Sequence, residues 1–184
     1  IRATHSDPAK VRLCQRSIEI FSTWKETYGD DIEWYQGGYC FVAYRDREEK
    51  ILKDLCEKQR KDYHLNINWY DSLDLLKMIP DLNPNGLIGG TFSPEDGSIS
   101  PLLAVHSFYT NAHQAGAKFQ FHEPVKSLII ENGKVIGVTT PQGTYYADII
   151  INAGGPWSRE VGAMGGVNIE VHPDSHEAAI TEGV

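Results

Sequence analysis

The chain has 184 residues, 41% hydrophobic and 23% charged, with a formal net charge of -8, which is ordinary for a globular protein able to bury a core. The acidic balance and the lack of any Lys/Arg-rich run argue against a nucleic-acid partner, and no segment approaches the roughly 20 apolar residues of a transmembrane segment or resembles a signal peptide. Three cysteines, Cys14, Cys40 and Cys56, are odd in number and form no C-x-x-C pair, which favours a reducing compartment and makes a cytoplasmic location the default expectation.

Ser6 or Asp7 followed by Pro8 predicts a helix start, since proline in the first turn gives up an N–H that had no partner. Val11, Cys14, Ile18, Phe21, Trp24 and Tyr28 then recur at helical spacing up to Gly29. An aromatic, β-rich strand follows over Gly38 to Tyr44. Asp46 with Glu49 resembles a capping box for a second helix that turns Ile51, Leu52, Leu55 and Cys56 inward. A short helix from about Asp71 is stopped by Pro80. Leu87 to Phe92 reads as a strand in which Gly89-Gly90 marks a close approach. Ser100-Pro101 opens a further helix that Gly116 closes, and Ala117 to Phe121 alternates like a strand.

From Val125 the pattern becomes a β-meander turned by Asn132-Gly133, a strong hairpin signal, and by Pro141-Gln142-Gly143. An apolar strand, Ala147 to Asn152, then runs into Ala153-Gly154-Gly155-Pro156-Trp157. Such a strand ending in glycines places bare backbone against a bulky ligand. The helix expected over Trp157 to Met164 offers free N–H groups suited to a phosphate. The fold class is α/β with a sizeable antiparallel component (α+β).

Several chemistries lack their motif. The G-x-G-x-x-G phosphate fingerprint is absent, because Gly86 to Gly90 and Gly162 to Gly166 are spaced wrongly. No nucleophile elbow or recognisable nucleophilic cysteine is present. His172 and His176 flank Pro173, and in a strand they would stand about 13 Å apart at roughly 3.3 Å per residue, so they read as surface residues; His106 and His113 fall on the solvent side or rim of a helix, and His122 reads as structural. Trp34, Tyr35, Tyr39, Phe41, Trp69, Tyr70 and Phe92 are candidates for an apolar pocket or for core packing. The chain opens on Ile1-Arg2-Ala3 without Met and closes on Glu182-Gly183-Val184. Both ends read as cut; the alternative is a trimmed domain with natural boundaries.

The segments Ile1 to Ser6, Gln36 to Phe41, Asp96 to Pro101, Ala115 to Ala117, Gly133 to Thr140, Ile151 to Trp157, and Pro173 with His176-Glu177 and Ile180 to Glu182 carry a resemblance in order along the chain. The chain resembles the FAD-dependent D-amino-acid-oxidase-like family, nearest to the branch of dye-linked proline dehydrogenase and the sarcosine oxidase β-subunit, as an internal portion.

The resemblance implies FAD as cofactor, with Val125, Asn152, Ala153, Gly154, Gly155 and Trp157 on the flavin side and Arg2 approaching the isoalloxazine. The glycine fingerprint would lie upstream of Ile1. Residues 1–35 would end a first flavin-domain segment and 36–100 would form the substrate domain. Residues 101–165 would return to the flavin domain, and 166–184 to the substrate domain. The implied reaction is oxidation of the C–N bond of a small amino acid or N-methyl amino acid (sarcosine, proline or glycine type), with a partner subunit in a hetero-oligomer as a further implication. Arg2 suits a substrate carboxylate, flavin tuning or a surface ion pair. Alternatives are oxidation of a hydroxy acid or polyol phosphate, or a non-catalytic binding module. The turn departs from the commoner Ala-Ala-Gly-Ala-Trp form by an extra glycine and Pro156.

Overall fold

A computed structural model describes residues 1–175. The chain divides into two compact units, Ile1–Ala117 and Lys118–Val184, and each is described by itself.

In the first unit, helices α1 (Pro8–Ser22) and α2 (Trp24–Tyr28) replace the single predicted helix. Asp7 caps α1 by accepting from the Lys10 N–H at 2.9 Å. The break falls at Thr23, whose hydroxyl bonds the Glu19 carbonyl at 3.0 Å. Such local bonds compete with the helical ladder. The apolar stripe divides into two clusters between Ile18 and Ile20, so the last turn of α1 packs with α2. Val11, with Cys14 and Ile18 beside it, packs with Ala3, Cys56, Leu65 and Ile67. Trp24, with Ile20 and Phe21 beside it, packs with Ile32 and Ala104.

Strand β1 (Tyr39–Ala43) and helix α3 (Asp46–Tyr63) follow. The predicted capping box is displaced by one residue. Arg45 is the N-cap, and it is Glu48 whose carboxylate reaches back to the Tyr44 N–H at 2.9 Å. Cys56 is buried as expected, whereas Ile51 is 51% exposed. Strand β2 (Asn68–Asp71), helix α4 (Ser72–Met78) and strand β3 (Gly89–Ser93) complete a three-stranded antiparallel sheet of order β1-β3-β2. Helix α4 ends just before Pro80, with Asp71 as its side-chain cap.

The predicted close approach is at Gly90 in the central strand. A Cβ there would fall against the Phe41 carbonyl oxygen and 2.9 Å from Leu75 Cδ2. Helix α5 (Pro101–Gln114) is joined to α2 by Trp24, whose Nε1 donates to Ser107 Oγ at 2.9 Å. Ser107 in turn donates to Asp30 at 2.7 Å.

The second unit holds the meander β4 (Ser127–Glu131), β5 (Lys134–Thr139) and β6 (Thr144–Tyr146), in order β4-β5-β6. Asn132 and Gly133 have φ of 50° and 76°, the paired positive values of a tight hairpin. Helix α6 (Ser158–Met164) follows a short 3₁₀ turn at Gly155–Trp157. Two predicted strands are corrected. Residues 117–121 and 147–152 form no strand. Extended backbone becomes a strand only where a ladder continues; the Ala147 N–H donates to the Ile136 carbonyl at 3.1 Å, but the strand assignment stops at Tyr146, and Ile149 and Ile151 are 79% and 82% exposed.

Candidate functional site

Arg2 lies on one face of the first unit's sheet. Antiparallel register places Phe41, Thr91 and Trp69 side by side, with Tyr39 on the same face, and turns Phe92 and Tyr70 to the opposite one. The aromatic residues read as one pocket set are therefore split between two faces. The Arg2 guanidinium carbon stands 5.2 Å from the Tyr39 ring centroid and 5.0 Å from that of Phe41. The two rings are 5.0 Å apart. This is cation–π geometry against a pair of rings.

Arg2 Nη1 donates to the Thr4 carbonyl at 2.5 Å. A guanidinium carries several donors, so this bond orients the group without exhausting it. With Tyr39 40% exposed, the result is a half-open surface offering fixed positive charge beside aromatic area. It suits a small organic anion. On the same face, Lys53 of α3 stands 4.7 Å over the Trp69 ring, a pairing that nothing in the local sequence signals.

Among the described residues no activated nucleophile accompanies this surface. Burial pushes the Cys40 and Cys56 thiols up, Arg60 only partly countering it at Cys56. Such thiols are poor nucleophiles near neutral pH. His106, His113, His122 and His172 are exposed, and His176 lies outside the described residues. Among the described residues no group of His, Cys, Asp or Glu is arranged to hold a metal.

The predicted flavin-side turn is built in the second unit. Asn152 staples it, its Oδ1 accepting from the Gly154 N–H at 3.1 Å and its Nδ2 donating to the Ser158 carbonyl at 3.0 Å. The Trp157 N–H donates to the Gly154 carbonyl at 3.0 Å. Gly155 has φ +53°, and a Cβ there would meet nothing within 4 Å. The extra glycine therefore occupies a left-handed position over open space. Trp157 is 68% exposed.

Bare backbone and an open indole fit a large planar ligand, so Asn152, Ala153, Gly154, Gly155 and Trp157 are the residues that would hold part of a flavin cofactor. Val125, 37% exposed, precedes β4 in the same unit. The phosphate expectation fares less well. Helix α6 has only 7 residues and carries Glu160 in its first turn, where a carboxylate already complements the helix dipole.

The pattern of the FAD dependent oxidoreductase family matches residues 1–184, the whole chain. Human mitochondrial dimethylglycine dehydrogenase is 28% identical over 169 residues, which are 91% of this chain and 19% of that protein. One subunit of the anaerobic glycerol-3-phosphate dehydrogenase of Haemophilus influenzae is 35% identical over 102 residues, 52% of this chain and 18% of that protein. Among solved structures, the L-proline dehydrogenase of P. horikoshii superposes with a TM-score of 0.83 at 31% identity, covering 91% of this chain and 44% of that one. The chain thus spans about a fifth of the curated relatives and under half of the solved protein. The match along its whole length, together with the glycine turn and the antiparallel sheet, places the chain in the FAD dependent oxidoreductase family.

Proposed function

We propose that the protein oxidises the C–N bond of a small amino acid or N-methyl amino acid. The observation that carries this reading is Arg2 held over Tyr39 and Phe41, in a chain similar to L-proline dehydrogenase and dimethylglycine dehydrogenase. FAD supplies the hydride acceptor when bound, and the protein supplies position and charge.

In this reading Arg2 holds the substrate carboxylate, while Tyr39 and Phe41 exclude water beside it. No protein nucleophile takes part, in keeping with the raised Cys40 and Cys56 thiols. Residues 1–35, apart from Arg2, and 101–165 serve the flavin and 36–100 and 166–184 the substrate, with Val125 and the Asn152 to Trp157 turn against the cofactor. A reducing compartment and a partner subunit complete the proposal. The compartment rests on the free thiols of Cys14, Cys40 and Cys56.

A second reading, oxidation of a polyol phosphate, is favoured by the 35% identity to the glycerol-3-phosphate dehydrogenase subunit. The test is the Arg2→Ala variant of the full-length protein with an artificial electron acceptor. Its KM for the preferred amino acid should rise about tenfold or more, the size of one charge-assisted hydrogen bond. An unchanged KM would remove Arg2 from the site, and turnover of glycerol 3-phosphate but not of sarcosine, proline or glycine would favour the second reading.

A further inference from the structure

Asp96 lies in the turn after β3 and is 1% exposed. An isolated buried carboxylate is costly unless its oxygens are bonded, and here each oxygen is engaged by the segment that carries Arg2. Oδ1 accepts from the Ala3 N–H at 2.9 Å, and Oδ2 from the Thr4 hydroxyl at 3.5 Å. The buried Ser93 lies beside the same carboxylate. The backbone carbonyl of Asp96 accepts from the Gly38 N–H at 2.9 Å, immediately before Tyr39.

One residue therefore grips both halves of the Arg2 stack: the segment bearing the guanidinium and the start of the strand bearing the rings. Its neighbours tighten the junction. Gly97 exchanges hydrogen bonds with Ile1 at 2.6 and 3.0 Å. A Cβ on Gly97 would fall 2.6 Å from the Tyr35 carbonyl oxygen and 2.8 Å from the Trp34 ring. Ser98 exchanges two 2.9 Å bonds with Tyr35.

We propose that Asp96 is a positioning residue, which fixes the Arg2 guanidinium over Tyr39 and Phe41 by clamping residues 3–4 to the entry of β1. Its kinetic consequence rests on the reading of Arg2 given above; its structural consequence does not. Asparagine at this position keeps an acceptor for the Ala3 N–H and has no charge to bury, so Asp96→Asn retains the clamp. Alanine removes the side-chain half of the clamp, the bonds to Ala3 and Thr4, and leaves only the backbone bond to Gly38.

The test uses the full-length flavoprotein with Arg2→Ala, Asp96→Asn, Asp96→Ala and the Arg2→Ala/Asp96→Ala double variant. Asp96→Ala should raise KM for the anionic amino acid about tenfold, leave kcat nearly unchanged, and add almost nothing in the Arg2→Ala background. Asp96→Asn should behave as the parent protein does. A full Asp96→Ala effect in the absence of Arg2 overturns the proposal. If Asp96→Ala does not fold, Asp96→Ser, too short to reach the Ala3 N–H, replaces it. Should Arg2→Ala itself leave KM unchanged, the substrate role of Arg2 fails. A crystal structure of the Asp96 variant then decides positioning alone: a displaced guanidinium supports it, and one still stacked on both rings refutes it.

Discussion

The junction of α2 and α5 gives the most direct prediction about stability. Trp24 is 2% exposed and its ring lies 4.4 Å from Tyr28 and 4.6 Å from Phe108, centroid to centroid. Replacing it with phenylalanine puts a single six-membered ring in place of the fused bicycle, deleting the far part of the indole and its Nε1–H. The lost bond to Ser107 is worth about 1 kcal/mol net. The missing ring volume, roughly 40 Å³, leaves a cavity costing about 1 kcal/mol at ~24 cal/mol per Å³. The lost transfer of its carbons adds about 1 kcal/mol.

Trp24→Phe should therefore destabilise by about 2–4 kcal/mol in urea unfolding followed by circular dichroism, with an unchanged slope. Ser107→Ala leaves the buried indole N–H without its acceptor, a loss of about 1–3 kcal/mol. The double variant should lose less than the sum, because both changes delete the same bond. A Trp24→Phe cost under about 0.5 kcal/mol, or strict additivity with Ser107→Ala, would refute the reasoning.

Gly90→Ala drives a methyl group against the Phe41 carbonyl and Leu75; overpacking of this kind should cost about 1–3 kcal/mol in the same unfolding assay, and a neutral substitution would contradict the geometry. The His5 imidazole is held below its usual range by burial first, then by the positive charges of Arg2 and Lys10, with Asp96 opposing. The unfolded chain therefore takes up a proton on His5 before the folded one does. The stability His5 contributes is complete above its unfolded value of about 6.5 and is lost as pH falls through the lowered folded value. Tm should drop between about pH 7 and pH 5, and less so in His5→Gln; identical slopes would exclude His5 as a source.

Features set by near neighbours were legible in the sequence. Asn132-Gly133 dictates its hairpin through the φ values those two residues tolerate. Asp7-Pro8 opens α1, and Gly89-Gly90 announces a crowded strand. The break at Thr23 was not legible, since the hydroxyl bond that makes it is as compatible with a continuous helix. Residues 117–121 and 147–152 carry strand periodicity, but pairing decides a strand and pairing is not local.

The candidate site divides in the same way. The Asn152 to Trp157 turn is local and its glycines betray it. Arg2 was singled out through resemblance, yet its rings, Tyr39 and Phe41, meet it only through the fold. Asp96 entered the sequence reading as the first residue of a resembling segment. Its bond to Ala3 spans 93 positions, and no periodicity predicts that.

We propose that this chain serves a flavoprotein that oxidises small amino acids. The most direct test is anaerobic titration of the purified full-length protein, following bleaching of its visible flavin absorbance on addition of sarcosine, dimethylglycine, proline, glycine or glycerol 3-phosphate. Stoichiometric bleaching by at least one of the amino acids is expected, weakened in Arg2→Ala, and none by glycerol 3-phosphate. A protein that carries no flavin, or whose flavin is bleached by glycerol 3-phosphate alone, would contradict it.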